Sequence, residues 1–162
     1  MTINNFFSRS FFSAAVIAVV LFIACKKEDE KLQSALRSKE YSLNAFNGSG
    51  VTGKITFTEN TDKSFNILVS LDKSVKDTVH LVHIRNGSIA EPGNIAIPLT
   101  SITGTGTAAS SQTNNVKQAV LPDSTVKLIN YDSLLNYTGY LNVHYSTFRI
   151  DSLLSQGAVG KN

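Results

Sequence analysis

The sequence is short of residues that would indicate several common kinds of protein. It has one cysteine, Cys25, so no disulfide can form within the chain and its stability must come from buried apolar surface. It has only three histidines, which limits any histidine-based metal site. The apolar run Phe11–Ala24 has 14 residues, broken only by Ser13, and is too short to span a bilayer comfortably.

The chain also lacks a surplus of charge of one sign in its main part. From Tyr41 onward, nine Lys and Arg residues stand against eight Asp and Glu residues, and no basic cluster occurs. A nucleic-acid partner is therefore not expected.

Motifs typical of enzymes are missing as well. No serine lies in a Gly-x-Ser-x-Gly sequence, and the glycines of "TGTGTAASS" (103–111) are followed by no lysine at P-loop spacing. The acidic residues are scattered, which argues against a pair of catalytic carboxylates. The sequence predicts a protein that is not an enzyme and has no catalytic residues and no cofactor.

The N-terminal segment has the organisation of a secretory signal. A weakly basic start and the apolar run are followed by Cys25 and then by six charged residues, "KKEDEK". The junction "FIAC" resembles the lipobox of bacterial lipoproteins, which implies cleavage after Ala24 and attachment of fatty acyl chains such as palmitate to Cys25. The alternatives are an ordinary secretory signal with an accidental cysteine, or an N-terminal membrane anchor.

Three regions follow from this organisation: a signal peptide at 1–24, a charged flexible tether at 25–40 and one folded domain at 41–162. The tether contains nine charged residues and few large apolar ones. Its start, "KKEDE", resembles the charged signal that exports some lipoproteins to the outside of the outer membrane. We expect a protein anchored in the outer membrane by lipid on Cys25, with the cell-surface side favoured over the periplasmic side.

The folded part has a hydrophobic period of two, which is typical of half-buried β-strands. Residues 51–71 predict a β-hairpin, because two alternating runs flank the turn sequence "ENTDK". The other predicted strands are Tyr41–Phe46, Thr78–Arg85, Asn94–Leu99, Gly104–Ser110 and Tyr137–Ser146, with weaker candidates at Val116–Leu121 and Val126–Ile129. "YDSLL" (131–135) and "IDSLL" (150–154) predict short helical turns capped by Asp132 and Asp151.

Many short strands without long helices predict an all-β, antiparallel sandwich or barrel. Three stretches resemble the CHRD (chordin-type) domain, which is similar to the Cu/Zn superoxide dismutase sandwich: "HLVHIRNGSIAEPGNIAIPL" (80–99), "YDSLLNYTGYLNVHYS" (131–146) and "LLSQGAVGKN" (153–162). The resemblance covers about residues 41–162 and implies a Greek-key β-sandwich of the dismutase type.

The histidines are the candidate site residues, and the residue at position 85 changes the role that we predict for them. The family commonly has a His-x-His pair, and the dismutases bind copper with such a pair, but here Arg85 stands at the second position after His83. Residues i and i+2 of a strand share a face, so Arg85 is expected beside His83, with His80 on the opposite face. A guanidinium has no lone pair to bind a metal, so the sequence predicts a vestigial or binding site at His83, Arg85, His144 and His80, with no metal. The alternative is that His83 and His144 are hydrogen-bonded residues of strands without a further role.

Three functions remain open from the sequence. The first is a non-catalytic binding or structural module on a lipoprotein, which contacts protein or polysaccharide through loops such as Asn86–Asn94 and Ser101–Asn115. The second is a dismutase-like or copper-binding metalloprotein. The third is an accessory subunit of an envelope complex, in which a sheet edge pairs with a partner.

Overall fold

The computed structural model describes residues 36–161, so the predicted signal peptide and most of the predicted tether lie outside the described residues. Within residues 36–161 the chain forms twelve strands and one short helix. In chain order these elements are β1 (Ser38–Ala45), β2 (Gly53–Glu59), β3 (Phe65–Leu71), β4 (Val79–His80), β5 (Val82–Gly87), β6 (Pro92–Pro98), β7 (Ile102–Thr103), β8 (Ala109–Val116), β9 (Gln118–Val120), β10 (Val126–Leu128), α1 (Tyr131–Leu135), β11 (Thr138–His144) and β12 (Leu153–Gly160).

Eight strands form one curled antiparallel sheet in the order β6-β5-β11-β12-β1-β2-β3-β8. β1 joins the two halves, because most of it pairs with β2 while Asn44 and Ala45 pair with β12. Neighbours such as β5 and β11 are distant in the sequence, as in Greek-key topologies. The fold is therefore all-β and sandwich-like, as the sequence predicts.

Alternation of apolar and polar residues explains why these strands form and where the core lies. In β3 every second residue is buried, and β2 buries Ile55 and Phe57 on the same side. The Phe57 ring makes edge contacts with Tyr41 and Phe65, with centroids 5.8 Å and 6.2 Å apart. Burying side chains of this size gives roughly 1.5–3 kcal/mol each, which is the main source of stability in a domain without a disulfide.

Several predicted elements are confirmed. The 51–71 hairpin is present as β2 and β3, whose registers pair Phe57 with Ile67. β6, β9, β10 and β11 begin and end within two residues of the corresponding predicted strands. β1 begins at Ser38, so strand structure starts three residues before the predicted domain start at Tyr41.

Three predictions about local structure are wrong. The single strand Thr78–Arg85 is broken at Leu81 into β4 and β5, each pairing with a different partner. Most of Gly104–Ser110 is irregular, and the strand β8 begins at Ala109 and continues through a polar sequence. Because β7 and β8 occupy part of Ser101–Asn115, the prediction that the whole segment is a loop is wrong, whereas its contact with a partner stays a prediction.

The two predicted helical turns have different outcomes. Residues 131–135 form α1, but its N-cap is Asn130, whose side chain accepts a hydrogen bond from the Ser133 N–H, while Asp132 lies in the first turn. Residues 150–154 are not helical, because the chain turns at Ile150 and Asp151 and then enters β12. Leu153 and Leu154 lie in β12, where Leu154 is buried, whereas Ile150 lies in the turn and is exposed.

The described residues 36–161 belong to one compact unit that contains the buried apolar core. A unit with its own core is expected to fold by itself. Both edges of the eight-stranded sheet are partly covered: Ser111 on β8 donates to the Thr100 carbonyl, and Asn94 on β6 donates to the Leu121 carbonyl. In the described part of the chain, no helix has the length and apolar character needed to cross a membrane.

Candidate functional site: a histidine pair beside an arginine

Two neighbouring strands, β5 and β11, bring the candidate residues onto one face of the sheet. In their antiparallel register His83 lies opposite Asn142, and Arg85 lies opposite Tyr140. Directly paired residues share a face, and His144 follows Asn142 by two positions, so it lies on that face as well. The residues between them point into the core. The predicted shared face of His83 and Arg85 is therefore confirmed.

His83 and His144 contact each other directly. Their Nε2 atoms are 3.0 Å apart, and the ring centroids are 4.6 Å apart. His144 Nδ1 also contacts the carbonyl oxygen of Ile150. Since a carbonyl only accepts, His144 carries its proton on Nδ1 when neutral, and its Nε2 accepts from the Nε2–H of His83.

The surroundings of this pair favour uncharged imidazoles. Burial, together with the nearby His144 and Arg85 charges, lowers the pKa of His83 to about 4. Burial also lowers the pKa of His144, with a further contribution from Arg85, although the Ile150 carbonyl and Asp151 act in the opposite direction. At neutral pH both rings are neutral, so Arg85 supplies the positive charge of this face.

Arg85 is half-buried and held by one hydrogen bond. Its Nε donates to the carbonyl oxygen of Gly93, 2.9 Å away, near the start of the neighbouring strand β6. Within residues 36–161, no carboxylate forms an ion pair with Arg85, and its Nη1 and Nη2 atoms have no hydrogen-bond partner. The guanidinium is thus fixed in place while its two terminal nitrogens stay available.

His80 does not belong to this site. It is fully buried at 0% exposure, and its Nδ1 lies 2.6 Å from the Tyr145 carbonyl oxygen and 3.2 Å from that of His144. The Val75 N–H donates to its Nε2 at 3.3 Å. Both ring nitrogens are therefore occupied by the backbone, and the predicted role of His80 as a site residue is wrong. It is a structural residue that connects β4 to the chain after β11.

A cavity of about 400 Å³ opens beside the pair. Its polar lining consists of His83, Arg85, His144 and Asp151. Its apolar lining consists of Leu81, Val82, Ile95, Pro98, Leu99 and Ile150. Ile95 and Ile150 are large apolar side chains with 41% and 55% of their surface exposed. The cavity combines apolar walls with a few convergent polar groups, which is the usual composition of a small-molecule site.

Another cavity, of about 450 Å³, is larger, and neither His83 nor His144 lines it. Its polar lining includes Ser49, Lys73 and Asp151, and none of the predicted site residues contributes to it. Asp151 lies just before the strand β12 and Leu153 is its first residue, and both side chains line this cavity. Its lining lacks both the histidine pair and the guanidinium of Arg85.

The sequence prediction missed Asn142. This residue is 7% exposed, and its Oδ1 is the one buried side-chain polar atom of residues 36–161 without a hydrogen-bond partner. It lies directly opposite His83 on the paired strand. The sequence "NVH" already indicates that Asn142 shares a strand face with His144, because the two residues are two positions apart. Only the pairing of β11 with β5 shows that Asn142 also lies opposite His83.

The residues do not fit the copper or zinc centre that the family resemblance implies. Two imidazole nitrogens on one zinc ion would be about 3.3 Å apart, so the His83–His144 spacing alone would allow two ligands. His80 cannot supply a third, and Arg85 repels a cation. In the described part of the chain, no group of three or more His, Cys, Asp or Glu residues is arranged to hold a metal ion.

Cys25, the predicted lipid-anchor residue, lies outside the described residues, and its acylation stays a prediction. Comparisons of the chain with protein-family models, with curated proteins and with solved structures find no match.

Proposed function

We propose that this chain is a bacterial lipoprotein that is anchored by lipid on Cys25 and carries a non-catalytic β-sandwich binding module. Its location is the outer membrane, with the cell-surface side favoured. The binding site is the cavity beside His83, Arg85 and His144. The lipid anchor rests on the sequence alone, whereas the binding site rests on the geometry of β5 and β11.

One observation carries the binding proposal: three costly features lie together on one sheet face. The pKa of His83 is strongly lowered, Arg85 has no counter-ion among the described residues, and Asn142 has a buried oxygen without a partner. Buried polar groups are normally paired, and unpaired ones usually have a functional reason. None of the three features stabilises the sheet, so a ligand-binding role explains their clustering better than a structural role.

A copper-binding function is the second candidate, and the 3.0 Å separation of the two Nε2 atoms is the observation in its favour. The same separation is that of an N–H···N hydrogen bond. With only two imidazoles and a cation beside them, the hydrogen-bonded pair is the better explanation. Elemental analysis for bound copper distinguishes the two explanations, because a copper site would fill close to stoichiometry.

A fragment screen tests the binding site without assuming a ligand. Residues 34–162 labelled with ¹⁵N are titrated with a mixed library of neutral, anionic and cationic fragments, and backbone amide shifts are mapped. We expect fragments to shift amides around residues 81–85, 95–99 and 144–151. A library that shifts none of them, or that shifts only amides elsewhere, contradicts the proposal.

The lipid anchor and its location are tested separately in cells. The full chain is expressed in a Gram-negative host with an alkyne-tagged fatty acid, beside a Cys25→Ser variant. We expect label on the native chain only, and digestion of the native chain by protease added to intact cells. Equal labelling of both chains contradicts acylation at Cys25, and protection from protease contradicts surface display.

A further inference from the structure

The chemistry of the cavity beside the histidine pair indicates what kind of ligand it takes. The guanidinium of Arg85 is always charged, and its Nε is fixed by the Gly93 carbonyl. Its terminal nitrogens have no partner within residues 36–161, although the group is half-buried. A planar guanidinium in this state matches the two oxygens of a carboxylate, which it can bind through paired hydrogen bonds.

The charges around the cavity limit the ligand to a single negative charge. The two imidazoles are neutral at pH 7, so Arg85 is the cation of the lining, and Asp151 is an anion of the same lining. No ion pair joins Arg85 to Asp151. A ligand with several negative charges would be under-compensated and repelled by Asp151, whereas one carboxylate is balanced by Arg85.

The apolar part of the lining favours a ligand with an apolar chain. Six apolar side chains form the remaining wall, and Ile95 and Ile150 keep large exposed surfaces that a ligand would cover. Covering apolar surface favours binding, because it removes that surface from water. The volume of about 400 Å³ lies within the range of roughly 300–1,000 Å³ that is usual for ligand sites.

We propose that this cavity binds a small molecule that carries one carboxylate on an apolar chain, with the carboxylate on Arg85 and the chain along the apolar wall. The inference rests on the proposed binding function and narrows its ligand class. It excludes cations and metal ions as the preferred ligand of this face.

The experiment compares three probes that share an eight-carbon chain: octanoate, 1-octanol and octylamine. Each is titrated at pH 7 into ¹⁵N-labelled residues 34–162, and dissociation constants are obtained from the amide shifts of the cavity strands. We expect octanoate to bind about tenfold or more tightly than octanol, as a charge-assisted hydrogen bond implies. Octylamine is expected to bind more weakly than octanoate, because an ammonium group cannot accept hydrogen bonds from the guanidinium of Arg85.

Variants then assign the preference to one residue. Arg85→Gln should bring octanoate and octanol to parity, and Arg85→Lys should keep part of the preference because the charge remains. Arg149→Gln is the matched control: it removes the same charge from a side chain that stacks on Tyr145 at 4.5 Å and does not line the cavity. It should leave the preference for octanoate unchanged.

Equal binding of octanoate and octanol to the native chain overturns the inference but leaves the binding site standing, since both probes then occupy the cavity. A preference that survives Arg85→Gln, or that Arg149→Gln also removes, overturns it as well. Binding of none of the probes overturns it, and the fragment screen then decides whether the site binds ligands at all. If Arg85→Gln does not fold, the three-probe comparison on the native chain and Arg85→Lys decide the outcome.

Discussion

The Nε2 atom of His144 lies 3.0 Å from the Nε2 atom of His83, and the Nδ1 atom of the same ring faces the Ile150 carbonyl. The ring of His144 therefore links β5 to the segment that leads into β12. This short chain of hydrogen bonds works only if the protons are placed in one order, because each bond needs one donor and one acceptor.

The proton order is the first prediction. We expect His144 to be protonated on Nδ1 and His83 on Nε2 at pH 7. His80 is expected to carry its proton on Nδ1, because Nδ1 faces carbonyl oxygens and Nε2 accepts a hydrogen bond from the Val75 N–H. Long-range ¹H–¹⁵N spectra of the imidazole rings report these tautomers. A His144 ring protonated on Nε2 alone would contradict the assignment.

The second prediction concerns pH and stability. The pKa of His83 is about 4 in the folded chain against an ordinary value of 6.5, so the unfolded state binds the proton more readily. The contribution of His83 to stability is therefore fully present above pH 6.5 and is lost as the pH falls from 6.5 towards 4. Asp62 and Asp123, whose pKa values are lowered from 3.8, add their own loss at still lower pH.

Melting temperatures measured between pH 7 and pH 5 isolate the histidine contribution. His83→Gln keeps a donor towards His144 but cannot titrate, so its melting temperature should fall less over this range than that of the native chain. His144 still titrates in this variant, so part of the decrease in melting temperature between pH 7 and pH 5 remains. The same slope in both chains would show that His83 is protonated as easily in the folded state as in the unfolded one.

The third prediction concerns His80, which is fully buried and bonded at both nitrogens. His80→Ala creates a cavity and leaves the Val75 N–H and the Tyr145 carbonyl without hydrogen-bond partners. We therefore expect a loss of about 2–5 kcal/mol in the free energy of unfolding. The exposed Lys76→Ala is the nearby control and should change stability by less than about 0.5 kcal/mol. Urea denaturation measures both, and a small effect of His80→Ala would contradict the structural role.

Gly104 gives a second test of the same packing. A Cβ atom at this position would lie 1.9 Å from the Val75 carbonyl oxygen and 2.9 Å from His80 Nε2. Gly104→Ala should therefore also destabilise the fold, because the neighbouring atom at the shortest distance belongs to the backbone. Native-like stability of this variant would mean that His80 is less tightly enclosed than described.

The fourth prediction compares two phenylalanines with opposite surroundings. Phe57 has 0% of its surface exposed and contacts two aromatic rings, whereas Phe148 is 96% exposed. Phe57→Ala should cost about 3–5 kcal/mol of unfolding free energy. The matched change Phe148→Ala should have little effect on stability, and equal losses in the two variants would contradict the placement of the core.

Much of the fold could be predicted from alternation alone. The hairpin of β2 and β3 has apolar residues at every second position and a polar turn, so its pattern has one interpretation. β8 could not be predicted in this way, because its sequence is polar and its strand structure comes from pairing with β3. The stretch 150–154 was misassigned because an aspartate before apolar residues suits both a helix cap and a turn that leads into a buried strand.

The site was predictable in part. Strand periodicity was enough to place Arg85 beside His83, and this is confirmed. The contact with His144 depends on the register between β5 and β11, which are about 60 residues apart, and no local pattern encodes that register. For the same reason Asn142 was missed, and the occupied nitrogens of His80 could not be foreseen from its spacing to His83.

Elemental analysis tests the central claim most directly, namely that the histidine pair belongs to a binding cavity and not to a metal centre. Residues 34–162 are incubated with excess copper and zinc, desalted and assayed for bound metal, beside Arg85→His, which places a second imidazole next to His83. The account predicts less than about 0.1 equivalent of metal on the native chain, since a true site fills close to stoichiometry, and a clear increase in the variant. Close to one equivalent of copper on the native chain, lost in a His83→Gln variant, would contradict it.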